Sequence, residues 1–66
     1  METKQYLISK IVALDTDIQD WTKALIILDQ NPAVKAGCLD QYLGLRRKIE
    51  DTQKLKTALV NISNQS

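Results

Sequence analysis

The chain has no histidine, one cysteine, one proline and two glycines among its 66 residues. Each shortage closes a route. Without histidine there is no imidazole to serve as base in a Ser/His or Cys/His pair. The lone Cys38 cannot close an internal disulfide, and without histidine it cannot anchor an ordinary zinc site. One cysteine and no recognisable secretory signal predict a reducing, intracellular (cytoplasmic) setting. The sequon at Asn61 is discounted on the same ground. Long hydrophobic runs are also missing. The longest, Ala24 to Leu28, falls far short of the ~20 residues that cross a bilayer. No Gly-rich phosphate loop follows a strand pattern, so no cofactor is expected.

What remains is an ordinary globular composition, 44% hydrophobic and 26% charged, so disorder is expected only at the ends. Size is the difficulty. A chain this short buries only about 60% of its unfolded surface, which leaves a lone core marginal. With disulfide and metal excluded, association with a copy of itself is the remaining way to stabilise the fold.

The strongest pattern lies in the first half. Leu7, Ile11, Leu14, Ile18, Trp21, Leu25 and Leu28 recur at alternating steps of 4 and 3. Three unbroken heptads without glycine or proline predict a coiled-coil-like helix over about residues 3–28, with Thr3 as N-cap. In the second half Cys38, Tyr42, Leu45, Ile49 and Thr52 continue the same spacing. Lys56, Leu59 and Ser63 extend it with polar breaks, which predicts a second helix over about 32–62 and a frayed tail over 63–66. Asn31 and Pro32 read as its N-cap and first position, leaving a bend at about 29–31. Gly37 leaves open a later start, at Cys38. Gly37 and Gly44, seven residues apart, suit a close helix approach, space for the indole of Trp21, or mere tolerance.

The fold expected is therefore all-α: a single antiparallel two-helix hairpin that dimerises into a four-helix bundle. Charges suggest its register. Residues 1–30 carry three basic and five acidic groups, and residues 31–66 carry six basic and three acidic. With the bend near Asn31, facing residues sum to about 62. Lys10 then meets Asp51, Lys23 meets Asp40, and Asp15 meets Arg46, Arg47 and Lys48. Off the seam, Ile8, Val12, Ile26, Ile27, Leu39, Leu43, Leu55 and Ile62 widen the apolar face beyond what one hairpin covers.

Catalytic and metal chemistry have little support. Asp15, Asp17 and Asp20 lack the glycine and bidentate glutamate of a calcium loop and fall inside the heptads, where a solvated face is expected. Cys38 lies on the seam and reads as a packing thiol. Lys35, Arg46, Arg47, Lys48 and Lys54 are candidate contacts for nucleic acid, a nucleotide or another anion. Near-zero net charge favours their pairing with helix 1 aspartates instead. In length and heptad spacing the chain resembles the Rop-type plasmid RNA-binding bundle. No functional residue of that family can be matched here, so no activity carries over. The function expected is that of a small non-enzymatic interaction protein whose partners are itself, as a homodimer or higher oligomer, and another protein. Such proteins include inhibitors, adaptors and phage-type accessory factors. Nucleic-acid or nucleotide binding through helix 2 is the alternative.

Overall fold

The computed structural model describes residues 3–65. Every element in it is helical: α1 spans Thr3–Asp29, α2 Pro32–Gly37 and α3 Leu39–Gln65. The two long helices, 27 residues each, lie side by side and antiparallel. They form a rod with principal extents of 50 × 14 × 13 Å. α2 turns the chain at one end; the other end is open.

Heptad spacing explains which side chains meet. The buried and half-buried apolar positions of α1 are Leu7, Ile11, Leu14, Ile18, Trp21, Ala24, Leu25 and Leu28. On α3 the seam runs through Tyr42, Leu45, Ile49, Thr52, Lys56, Leu59 and Ser63, with Val60 beside it. Among the described residues only Leu7 and Tyr42 are buried, one near each end. A pair of helices has one mutual face, so the residues between them are covered from one direction and stay partly wet.

The second helix does not run unbroken from Pro32. Cys38 leaves helical geometry (φ −133°, ψ 39°), so the expected single helix becomes α2 and α3. The later start left open by Gly37 is the one adopted by α3, while Pro32 still opens a helix of its own. The tail expected to fray continues as helix to Gln65, because Ser63 falls on the half-buried seam against α1. Ser66 lies outside the described residues. Thr3, expected as N-cap, is the first residue of α1.

Asn31 also changes role. Its carbonyl accepts from Lys35 N at 2.9 Å and so opens α2, but its side chain caps nothing there. Instead Asn31 Nδ2 donates to Ile27 O at 2.8 Å, a carbonyl in the last turn of α1. The bend is closed further by Gln30 N, shared between Ile26 O and Ile27 O at 3.1 and 3.2 Å, and by Asn31 N on Leu28 O at 3.0 Å.

The register is one heptad away from the one the charges favoured. Asp15 meets Lys56 and Asp29 meets Tyr42, pairs summing to 71, while Trp21 meets Lys48, summing to 69. Seam faces seam at only a few sums. At 70 Leu28 is level with Tyr42, Leu25 with Leu45, Trp21 with Ile49 and Ile11 with Leu59. At 63 the seams also interlock, but seven residues nearer the bend. The segment from Asn31 to Gly37 is seven residues long; folding it into α2 removes one heptad from the long pair. The expected meetings of Lys10 with Asp51, Lys23 with Asp40 and Asp15 with Arg46, Arg47 or Lys48 are therefore not made. Exposed ion pairs are worth only about 0–1 kcal/mol, too little to set register against packing.

Candidate interaction surface

Among the described residues, polar contacts at three places tie the helices together, and each place uses a residue that spacing alone sets beside the seam. At the bend, Asp29 ends α1, where its negative charge opposes the helix dipole. Two donors offset it. Lys35 Nζ on α2 lies 2.9 Å from Asp29 Oδ1, and Tyr42 OH on α3 donates to the same oxygen at 2.8 Å. The Lys35 ammonium also sits over the Tyr42 ring, 4.3 Å from its centroid. The hydrogen bond from Lys35, then that from Tyr42, hold the Asp29 carboxyl below the usual carboxylate range, and the more distant Arg46 charge adds to this. The same contact with Asp29 raises Lys35 above the usual lysine value.

Midway along the rod, Lys56 Nζ donates to Asp15 Oδ1 at 2.7 Å, while Gln19 Nε2 donates to Asp15 Oδ2 at 3.1 Å. The Lys56 hydrogen bond and charge lower the Asp15 pKa. On the opposite flank the Lys48 ammonium lies 4.7 Å from the centroid of the Trp21 ring system. Cys38 is half-buried and its Sγ donates to Val34 O at 3.3 Å, at the junction of α2 and α3.

The five basic residues suggested by sequence are thus divided. Lys35 belongs to the bend and Lys48 to the Trp21 contact. Arg46, Arg47 and Lys54 are exposed and form no salt bridge among the described residues. On α3, Glu50 and Asp51 fall three and four residues after Arg47, and four and three before Lys54. The outer face of α3 therefore alternates in sign, as solvated helices commonly do.

The glycines report on packing. A Cβ placed on Gly37 or Gly44 would meet no atom within 4 Å, and neither residue has a positive φ. Within the chain, neither marks a close helix approach nor makes room for Trp21.

Large apolar side chains stand on the surface. Tyr6, Ile8, Val12, Ile26, Ile27, Val34, Leu39, Leu43, Leu55 and Ile62 all stand at least 47% exposed. Sequence reasoning named most of these as a face too wide for one hairpin. Tyr6 and Val34, the two most exposed, were missed because each stands alone beside its heptad line. The accessible surface is 4932 Å², whereas a folded monomer of this mass exposes about 4,200 Å². The Cα radius of gyration, 15.1 Å, exceeds the about 11 Å of a compact domain this long. No concave pocket and no group of three metal-ligating side chains occurs among the described residues. No described helix is long and apolar enough to cross a membrane. Compared with known proteins, the chain matches no family, no curated protein and no solved structure.

Proposed function

We propose that this chain is a small non-enzymatic interaction protein: a helical hairpin that associates with itself, reaching a four-helix bundle, and works by contacting another macromolecule. The single observation that carries this reading is the set of exposed large apolar side chains, Tyr6 through Ile62, on a chain whose total accessible surface exceeds that of a compact monomer by about 700 Å². Surface of this kind is normally covered by a partner. The polar residues support a binding role over a catalytic one, since the ion pairs and cation–π contacts are spent joining helices to one another.

Gel filtration coupled to light scattering tests the assembly. A dimer of the 7.5 kDa chain is expected, with a melting midpoint that rises with protein concentration. A monodisperse monomer that melts cooperatively at a concentration-independent temperature overturns it.

Nucleic-acid or nucleotide binding through α3 is the second reading, supported by the exposure of Arg46, Arg47 and Lys54. The interleaved Glu50 and Asp51 and a net charge of +1 count against it. It requires binding that weakens steeply with salt and is lost in Arg47→Glu. If RNA and DNA show no salt-sensitive binding, that reading fails.

A further inference from the structure

We propose that α2 is a strap that opens as a unit while the α1–α3 rod stays folded, and that the Asp29 carboxylate is its latch. The inference concerns the bend within one chain and goes beyond the association reading.

Six residues make under two turns, too short for a helix to hold itself in water. Packing does not make up the difference. None of the residues from Pro32 to Gly37 is buried, and Val34, the one large apolar side chain among them, is largely exposed. Capping is thin as well. The Asn31 side chain turns back to Ile27 O and gives α2 no side-chain cap. At the other end Cys38 N closes only a tight turn onto Lys35 O at 3.1 Å.

Both ends are jointed. Asn31 (φ −129°, ψ 72°) and Cys38 (φ −133°, ψ 39°) leave helical geometry, and neither has a positive φ. These joints separate α2 from the hydrogen-bonded ladders of α1 and α3, so it can swing or unwind without unwinding either neighbour.

One side chain holds the strap. Among the described residues, the polar and cation–π contacts from α2 to the long helices both run through Lys35, to Asp29 Oδ1 at 2.9 Å and to the Tyr42 ring at 4.3 Å. Lys35 and Asp29 are both partly exposed, so water competes for the pair and the latch is weak. The rod has ties of its own that do not pass through α2: Tyr42 to Asp29, Lys56 to Asp15 and Lys48 to Trp21. Releasing α2 leaves all three in place.

Opening changes the surface at the bend. The Lys35 ammonium covers one face of the buried Tyr42 ring, and lifting it bares that face. Leu39, three residues earlier on α3 and half-exposed already, neighbours the ring on the same side of the helix. The open bend therefore presents a leucine and an aromatic face together.

Native-state hydrogen exchange followed by NMR tests this. The Lys35 and Cys38 amides bond back to Asn31 O and Lys35 O. They are expected to exchange on the order of 100-fold faster than the amides of Ile18 and Ile49 at the middle of the rod, with little dependence on urea below the unfolding midpoint. Asp29→Asn keeps the shape of the latch and removes its charge. It should speed the two strap amides by about fivefold and the rod amides by less than about twofold. Asp15→Asn, at the other ion pair, should leave the strap amides unchanged. Strap amides that exchange with the rate and urea slope of the rod overturn the proposal, because α2 then opens only with the whole hairpin. Fast exchange that Asp29→Asn leaves unaltered, or that Asp15→Asn speeds as much, overturns Asp29 as the latch.

Discussion

Tyr42 OH donates to Asp29 Oδ1 at 2.8 Å, the same oxygen that receives the Lys35 ammonium at 2.9 Å. One carboxylate at the end of α1 thus binds both α2 and α3. Tyr42 is 7% exposed, one of two buried side chains among the described residues, so its ring and its hydroxyl act together at the bend.

The ring and hydroxyl contributions can be separated. Tyr42→Ala removes a buried aromatic and is expected to cost about 3–5 kcal/mol, most of the stability of a domain this small. Tyr42→Phe keeps the ring, the Lys35 contact and the seam, so its loss should be much smaller but still measurable. Urea unfolding of the two variants at one protein concentration decides the matter. Equal losses would mean that the hydroxyl, not the packed ring, holds the bend.

Acid should weaken the fold before base does. Asp15 and Asp29 both titrate below their ordinary value of 3.8 when folded. Their contribution is complete above the unfolded pKa and is lost as pH falls through the lowered folded values. Lys35 has the opposite sign. Its pKa is raised above 10.5, so its contribution is complete below that value and is lost as pH rises through the folded one. Urea midpoints should therefore be flat between about pH 5 and 9 and fall on either side. Asp15→Asn should flatten the acid limb, and a midpoint that rises from pH 5 to pH 3 would contradict the assignment.

Gly44 sits in the interior of α3 with open space around it and no positive φ. Alanine there removes unfolded-state freedom without meeting a neighbour. Gly44→Ala is expected to stabilise by about 1 kcal/mol, read as a higher urea midpoint with helicity retained. Loss of stability would mean that a partner approaches the helix at Gly44.

The long helices were legible in sequence for a plain reason. Alternating steps of 4 and 3 through Leu7 to Leu28 are hard to satisfy with any other local structure. The all-helical class and the seam residues follow from that spacing. Heptad patterns, however, are periodic, and a hairpin slipped by seven residues buries the same kinds of side chain. Deciding between sums of 63 and 70 needs the length of the connection, which depends on a backbone break at Cys38 that the adjacent Gly37 allows but does not require. The surface charges matched one slipped register by coincidence. The interaction surface was visible as excess apolar residues, but the division into flanks needed the contacts of Asp15, Asp29 and Trp21.

Lys56 is the residue that separates the two registers. It occupies a seam position on α3 where an apolar side chain would pack, and at the observed register its ammonium finds Asp15 at 2.7 Å. Slipped to a sum of 63, Lys56 would lie level with Leu7, one of the two buried residues, with no carboxylate beside it on the seam. A single polar seam residue costs some stability and selects register in return. Lys56→Leu should accordingly keep or raise the melting temperature, because an apolar replacement for a half-buried ion pair is often neutral or favourable. It should also allow the slipped hairpin, seen as doubled amide resonances for residues near the bend. A single set of resonances together with a marked fall in melting temperature would show that the Asp15–Lys56 pair supplies stability rather than register.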